Sequence, residues 1–220
     1  MSLDIQNFKN TTKYEFTFKI IVIGDSGVGK SCLTNMVVKD IFNESSETTI
    51  GFEFLLYSVE IEGQKINLHI WDTCGQELYR ALITSFYKNA ELAMIVYSID
   101  SRESFIHIKS WLKEIRLHCS PNVKIILIGN KSDLEERRAV TYEEAKKFKD
   151  ENEIFYFEET SAKTGMNAKE VFNQAAKVLY QDFNKYQSKE QYNDNISYDS
   201  YKLVPNKLVN DRQSRKFGCC

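Results

Sequence analysis

A glycine-framed segment near the N-terminus carries the residue types that bind phosphate. It reads Gly-Asp-Ser-Gly-Val-Gly-Lys-Ser over residues 24–31 and matches the phosphate-loop pattern at every fixed position. Its glycines let the backbone curl around a phosphate and direct several N–H groups at it, beside the positive end of a helix dipole. Lys30 would reach the outer phosphates, and the Ser31 hydroxyl is placed to ligate an accompanying Mg²⁺. The residues expected to contact the phosphates are Gly24, Asp25, Ser26, Gly27, Val28, Gly29, Lys30, Ser31 and Cys32.

A second segment, Asn-Lys-Ser-Asp at residues 130–133, carries side chains that can bind a nucleotide base. It follows the apolar run 123–128, which predicts a buried strand, and ligands of open α/β sheets bind at that strand edge. Asp133 can accept hydrogen bonds from the ring N–H and exocyclic amine of guanine, an edge that adenine does not present. A solvated turn of this composition is also common on surfaces. The predicted base contacts in this segment are Asn130, Lys131 and Asp133.

Two further segments complete the candidate site. The sequence Trp-Asp-Thr-Cys-Gly-Gln-Glu at residues 71–77 follows an alternating strand pattern. Within it, Asp72 would hold Mg²⁺ through water and Gly75 would offer its N–H to the terminal phosphate, while Gln76 would orient the attacking water as the catalytic residue. The residues after the apolar run 154–157 are expected to complete the base pocket with backbone and lysine-stem contacts: Ser161, Ala162 and Lys163.

The elements that position these segments alternate along the chain. Apolar or alternating runs predict strands at 16–23, 52–61, 65–71, 93–97, 123–128 and 154–157. Helical patterns occupy 32–38, 78–88, 102–118, 141–151 and 168–186. Gly63 lies between two alternating segments, as expected of a hairpin turn. We therefore predict a doubly wound α/β domain of the phosphate-loop NTPase class: a mostly parallel six-stranded sheet with one antiparallel edge strand and helices on both faces.

Length and composition fit one domain with a tail. A chain of 220 residues that is 42% hydrophobic can bury one good core. A net charge of −2, without a basic stripe, argues against nucleic-acid binding. No apolar run is long enough to span a bilayer, and residues 1–13 lack the apolar centre of a signal peptide. We expect a cytosolic protein with a flexible N-terminus at 1–13, one domain at 14–186 and a flexible tail at 187–220.

With its nucleotide segments in this order, the chain resembles the Ras superfamily of small GTPases, and within it most closely the Rab family. The Rab resemblance rests on residues 50–54, 67–71, 78–81, 86–90 and 95–100, of which the third and fourth segments match loosely. It covers about residues 14–185. It implies a small G domain that binds GTP or GDP with Mg²⁺ and hydrolyses GTP, as a membrane-anchored switch in vesicle-mediated transport.

The resemblance also implies roles for further residues. Thr49 would complete the Mg²⁺ shell with Ser31 and Asp72 when the γ-phosphate is present, and Phe42 would stack on the guanine. The two terminal cysteines, Cys219 and Cys220, are similar to the doubly geranylgeranylated ending of many Rabs. Two lipid chains suit stable anchoring, because one chain binds membranes only marginally.

The family's partners follow from the same resemblance. They are an exchange factor, a GTPase-activating protein, a GDP-dissociation inhibitor, a Rab escort protein with geranylgeranyl transferase, and effectors that read the two switch segments. Phe54, Trp71 and Tyr87 would contact effectors, although aromatic residues at these positions can instead serve core packing. The expected location is the cytosol, with cycling onto the cytosolic face of an intracellular or plasma membrane.

Three alternatives remain open at this stage. A phosphate-loop kinase or ATPase would share the first motif, but Asp133 argues against it. A prenylated scaffold could hold guanine nucleotide with little hydrolysis; its only hint is Cys74, where the family usually has alanine and where a small residue is readily tolerated. A Ras- or Rho-type relative is disfavoured by the Cys-Cys ending.

Overall fold

The protein folds as an alternation of strands and helices. The computed structural model describes residues 15–43, 51–73 and 86–190. The strands are β1 (Glu15–Ile23), β2 (Phe52–Ile61), β3 (Gln64–Thr73), β4 (Leu92–Ser98), β5 (Lys124–Asn130) and β6 (Tyr156–Glu159). The helices are α1 (Lys30–Lys39), α2 (Arg102–His118), α3 (Tyr142–Glu151) and α4 (Ala168–Glu190), with a 3₁₀ helix at Ser132–Arg137. Most of the helix predicted at 78–88 lies outside the described residues.

The six strands form one mixed sheet in the order β2-β3-β1-β4-β5-β6. Strand β2 pairs antiparallel with β3, and the other four pairings are parallel. The predicted sheet, with its single antiparallel edge strand, is confirmed. The β2–β3 hairpin turns through Glu62 and Gly63, both at positive φ (52° and 76°), as two-residue primed turns require.

Apolar residues on both faces of the central strands explain their nearly continuous hydrophobic runs. Alternate residues of β1 and β4, such as Ile20 and Met94, face α1 and α4, where Phe172 is fully buried. The intervening residues, such as Ile21 and Ile95, lie in a second core cluster with residues of α2 and α3. Helices thus cover both faces, as predicted. No helix among the described residues has the length and apolar character to cross a bilayer.

Polar side chains cap the N-termini of helices α2 and α3. The Ser101 side chain accepts a hydrogen bond from the Ser104 N–H at the start of α2, and Thr141 does the same for Glu144 at the start of α3. Helix α1 begins at Lys30, two residues before the predicted start, because Gly29 serves as its N-cap with φ of 91°. Helix α4 continues to Glu190, four residues past the predicted end.

Candidate nucleotide-binding site

The candidate site lies at one edge of the sheet, where the parallel strands β1, β3, β5 and β6 end. The phosphate loop follows β1, Asp72 lies near the end of β3, and Asn130 ends β5. Residues 160–163 follow β6. Since parallel strands present their carboxyl ends at the same edge, four segments far apart in sequence meet there. The structure thus brings the predicted phosphate and base segments together.

The ammonium of Lys30 is held inside the phosphate loop. Lys30 is only 5% exposed. Its Nζ donates hydrogen bonds to the carbonyl oxygens of Gly24 at 2.8 Å and Asp25 at 2.7 Å. The loop therefore wraps around a buried positive charge, which favours an anionic ligand at this position. Contact between Lys30 and the outer phosphates stays a prediction.

Two glycines of the loop are required by close packing as well as by the loop's curvature. A Cβ on Gly24 would lie 2.1 Å from the carbonyl oxygen of Val96 on β4. A Cβ on Gly29 would lie 2.5 Å from Nδ2 of Asn130. Both residues also have positive φ, 140° and 91°. Any side chain at either position would push the loop away from the sheet.

The predicted magnesium-binding pair is assembled. The Ser31 hydroxyl donates a hydrogen bond to Oδ2 of Asp72, which is fully buried. Burial raises the pKa of Asp72 to about 6, with the charge of Glu53 acting in the same direction, against the Ser31 hydrogen bond and the Lys30 charge. The other carboxylate oxygen, Oδ1, has no hydrogen-bond partner among the described residues. A buried carboxylate with an unpartnered oxygen beside a hydroxyl fits a hard divalent cation.

Asn130 ties the phosphate loop to the base segments. Its side-chain Nδ2 donates to the Val28 carbonyl at 2.9 Å, and its Oδ1 accepts from Thr160 Oγ1 and the Ala162 N–H, both at 3.2 Å. Asn130 is 1% exposed, so its amide groups are engaged within the protein. Sequence reasoning assigned Asn130 to base contact and did not predict this bridging role. The bridge connects three segments that approach from different strands.

The predicted guanine reader, Asp133, lies on the surface beside the loop that follows β6. Its Oδ1 accepts a hydrogen bond from the buried Ser161 hydroxyl at 2.5 Å, and Ser161 Oγ in turn accepts from the Thr164 N–H at 3.1 Å. Asp133 and Lys163 are exposed, while Ala162 is 4% exposed. The arrangement holds the orientation of an exposed carboxylate, as recognition of a base edge requires.

The side chain of Asp25 is directed to helix α2. Its Oδ1 accepts from Trp111 Nε1 at 2.8 Å, and its Oδ2 lies 2.6 Å from His107 Nδ1. Any ligand contact of Asp25 would therefore be made by its backbone. Sequence reasoning missed both partners, since 82 residues separate Asp25 from His107 and no local pattern connects them.

An exposed cluster of aromatic rings lies on β2 and β3, adjoining Phe86. Phe52 and Phe54 are 49% and 42% exposed, and both rings lie within about 5 Å of the half-buried Trp71 ring, at 5.4 and 5.1 Å. Phe86 joins them, 4.5 Å from Phe52. Tyr87 is 2% exposed and stacks on the half-buried His118, so in this structure it takes the alternative role of core packing, and its contact with effectors stays a prediction.

The remaining candidates divide between described and undescribed parts of the chain. Phe42 is half-buried and packs against the core, and Val28 is buried, whereas Ser26 and Gly27 are exposed. Cys32 lies within α1, as the helical pattern at 32–38 predicts. The predicted residues outside the described part of the chain are Thr49, Cys74, Gly75, Gln76, Cys219 and Cys220.

Comparison with known proteins gives consistent matches. The sequence profile of the Ras family matches residues 19–181. The chain is 46% identical to Ras-related protein RABA4b of Arabidopsis thaliana over 173 residues, which cover 79% of this chain and 77% of that protein. It is 40% identical to Ras-related protein RABA5e of the same plant over 207 residues, 94% of each chain. The Ras-family match covers the phosphate loop and both base segments.

Proposed function

Because this chain belongs to the Ras family, and within it to the Rab small GTPases, we propose that it binds GTP and GDP with Mg²⁺ and hydrolyses GTP. The observation that carries the proposal is the assembly at one sheet edge of a lysine-centred phosphate loop and the Ser31–Asp72 pair. Asp133, held by Ser161 at the same edge, is the proposed guanine reader. This arrangement favours a guanine nucleotide over ATP.

The magnesium ion would be held by Ser31, Asp72 and Thr49. Oδ1 of buried Asp72 has no hydrogen-bond partner among the residues that the structure describes, which supports this set, since a buried carboxylate oxygen without a partner is costly unless a ligand satisfies it. When bound, Mg²⁺ would neutralise charge on the β- and γ-phosphates. The protein's own contribution is to hold the Ser31 hydroxyl against the carboxylate before the ion arrives.

Hydrolysis is proposed to depend on Gln76, which would orient the attacking water towards the γ-phosphate, with the Gly75 N–H as a donor to that phosphate. No arginine occurs in the phosphate loop or at 44–49 to stabilise the transition-state charge in cis. Intrinsic turnover is therefore expected to be slow. A GTPase-activating protein that supplies an arginine would accelerate it by about 10³- to 10⁵-fold.

The switch would be read through the aromatic cluster on β2 and β3. Phe52 and Phe54 are large, half-exposed apolar side chains, and both rings contact Trp71, which lies near the phosphate-side end of β3. Exposed rings of this kind are typical anchors of protein interfaces. We propose that effectors bind here when GTP orders the neighbouring switch segments, and that exchange factors and a GDP-dissociation inhibitor use overlapping surfaces.

Membrane attachment is proposed to occur through Cys219 and Cys220. Lipidation by a geranylgeranyl transferase with an escort protein would place two chains at the end of a tail at 187–220, joined to a G domain at 14–186. A lipid-anchored switch on a cytosolic membrane face suits a role in vesicle transport, as the Rab relatives suggest.

Single-turnover hydrolysis of γ-³²P-labelled GTP tests the proposed enzyme. The wild type should release phosphate slowly, and Gln76→Leu should release it at least about tenfold more slowly, as expected when the water-orienting residue is lost. Asn122→Leu, at an exposed position in the loop before β5, is the matched control and should keep the wild-type rate. Equal rates for wild type and Gln76→Leu would contradict the role of Gln76 and favour a nucleotide-holding scaffold.

A further inference from the structure

Asp25 contributes two groups to two different parts of the molecule. Its backbone carbonyl accepts a hydrogen bond from Lys30 Nζ at 2.7 Å, inside the phosphate loop. Its carboxylate leaves the loop and meets Trp111 Nε1 at 2.8 Å and His107 Nδ1 at 2.6 Å. One residue therefore connects helix α2 to the carbonyl that holds the lysine.

The two partners on α2 differ in how they are fixed. Trp111 is 2% exposed and packs within the core cluster between the sheet and α2, so its position is set by the fold. The His107 side chain is 44% exposed and lies at the outer side of the contact. A carboxylate accepts hydrogen bonds, so we assign His107 the tautomer with N–H at Nδ1, which donates to Oδ2 of Asp25. The most direct contribution of His107 to the contact is this hydrogen bond.

The hydrogen bonds of Asp25 to His107 and Trp111 complete a set of contacts that hold the phosphate loop in place. The beginning of the loop lies against β4, where Gly24 fits closely over the Val96 carbonyl. The end is held through Val28, whose carbonyl accepts from Asn130. Asp25 anchors the stretch that follows Gly24, next to the carbonyl contact with Lys30. Loosening this anchor would leave the lysine and the adjoining backbone N–H groups less well oriented for a phosphate.

We propose that His107 is a positioning residue for the phosphate loop, which holds Asp25, and through it Lys30, in the geometry that retains nucleotide. The inference rests on the proposed guanine-nucleotide binding. It assigns to helix α2 a role in setting how long the nucleotide stays bound. Loss of the His107 contact should increase the nucleotide dissociation rate and leave the fold intact.

The test compares two substitutions at His107. Helix propensity predicts that the alanine variant is the less perturbed of the two, whereas hydrogen bonding to Asp25 predicts that the asparagine variant is. His107→Ala introduces the best helix former but removes the donor. His107→Asn introduces a weaker helix former, but its amide nitrogen is as many bonds from Cα as Nδ1 and can donate to Asp25. Lys109→Ala, at an exposed position on the same helix, is the matched control. The measurement is the release of fluorescent mant-GDP in Mg²⁺, alongside thermal unfolding.

We expect His107→Ala to release mant-GDP about threefold to tenfold faster than wild type, the effect of losing one hydrogen bond of ordinary strength. His107→Asn and Lys109→Ala should stay within about twofold, and His107→Ala should unfold no earlier than His107→Asn. Unchanged release from His107→Ala, or faster release from His107→Asn than from His107→Ala, would overturn the proposal.

Trp111→Phe provides a second test in case His107→Ala is recovered in poor yield. Trp111→Phe removes the other donor to Asp25 and should also speed release, whereas Trp111→Phe with wild-type release would count against the anchor at Asp25. A wild-type protein that binds no mant-GDP would instead refute the proposed function itself. The two failures are therefore distinguishable.

Discussion

Ser31 shows how the site depends on individual polar atoms. Its hydroxyl donates to Asp72 Oδ2, while Oδ1 of the same buried carboxylate has no partner among the described residues. One oxygen of Asp72 is thus engaged by Ser31, and the other is available to a ligand such as the proposed Mg²⁺. The motif predicted the two residues as ligands of one ion. The state of the carboxylate, with a pKa raised by burial, depends on packing that the motif does not describe.

Replacing Ser31 with Asn should weaken Mg²⁺ and GTP binding much more than GDP binding. The hydroxyl is lost from the ion's surroundings, and such losses typically cost about 10- to 100-fold in metal affinity. Equilibrium titration of each nucleotide at several Mg²⁺ concentrations measures the effect. The same substitution at the exposed Ser120 should change neither nucleotide's affinity. An unchanged preference between GTP and GDP in Ser31→Asn would remove Ser31 from the magnesium site.

Tyr97 presents the opposite case, a polar atom for which no ligand is expected. The residue is fully buried in the cluster beneath α2, and its hydroxyl has no hydrogen-bond partner among the described residues. Burial raises the pKa of this phenol strongly, so the group is neutral. We infer that its hydroxyl contributes no stability to the fold.

Tyr97→Phe should leave the free energy of unfolding unchanged or raise it by up to about 1 kcal/mol, because an unsatisfied buried hydroxyl is removed. Tyr57→Phe is the control, since the Tyr57 hydroxyl donates to Asn173 Oδ1 at 2.9 Å. That variant should lose about 1 kcal/mol. Urea unfolding of the two variants measures both. A loss on Tyr97→Phe as large as on Tyr57→Phe would show that the Tyr97 hydroxyl has a partner.

At the scale of elements, sequence patterns predicted most of what the structure shows. Helix α2 has the predicted bounds, and the described strands and helices follow one another in the expected order. These elements are marked by strong local signals: apolar periodicity, the Thr141 cap and the glycine of the hairpin turn. Element ends were less accurate, since α1 begins inside the phosphate loop, where Gly29 replaces a side-chain cap.

The contacts between elements could not be predicted in this way. Asp25 with His107, Asn130 with Val28, and Arg138 with Glu159 each join segments with no pattern in common. Their pairing depends on the spatial order of the strands and on the direction of each loop. The motifs therefore predicted which segments form the site but not how the segments are fastened together.

Arg138 fastens the segment after the 3₁₀ helix to the end of β6. Its two terminal nitrogens donate to both oxygens of Glu159, at 2.6 and 2.8 Å, and the two side chains are 17% and 11% exposed. Glu159 immediately precedes the base loop at 160–163. This largely buried pair of guanidinium and carboxylate holds the loop at 160–163 in place. Replacing one member of the pair would leave the other without its main partner.

Arg138→Met should therefore lower the free energy of unfolding by about 2 kcal/mol, the range for a charge-assisted pair that is largely shielded from water. Arg102→Met is the control, because the Arg102 and Glu144 side chains are 51% and 37% exposed. That surface pair should contribute about 0.5 kcal/mol or less. A double-mutant cycle with Glu159→Gln measures the coupling. Equal losses for the two arginine variants would contradict the fastening role.

For the whole molecule, the described domain combines a rigid sheet with a site built from its loops. Both faces of the sheet are covered by helices, and the two core clusters leave the aromatic surface on β2 and β3 as an exposed apolar area. The nucleotide site and this surface share strand β3, which carries both Asp72 and Trp71. Asp72, the proposed magnesium ligand, is thus the residue next to Trp71 of the aromatic surface.

The proposed membrane attachment would depend on Cys219 and Cys220 and not on the candidate nucleotide site. The wild type and the Cys219→Ser/Cys220→Ser double variant are each incubated with escort protein, transferase and a geranylgeranyl donor. The double variant should remain in the supernatant when liposomes are sedimented, whereas the wild type should pellet with them. Its affinity for GDP should be unchanged. Pelleting of the double variant to the same extent as wild type would show that another part of the chain binds the membrane.

The identity of the nucleotide that the protein carries is the sharpest test of the proposed guanine-nucleotide binding. Purified in Mg²⁺ and then denatured, the protein should release close to one equivalent of GDP or GTP, identified by ion-exchange chromatography, because Asp133 presents a carboxylate suited to the guanine edge beside a phosphate loop. Release of ADP or ATP would contradict the role of Asp133. A protein that carries no nucleotide and binds no added GTP would contradict the proposed function as a whole.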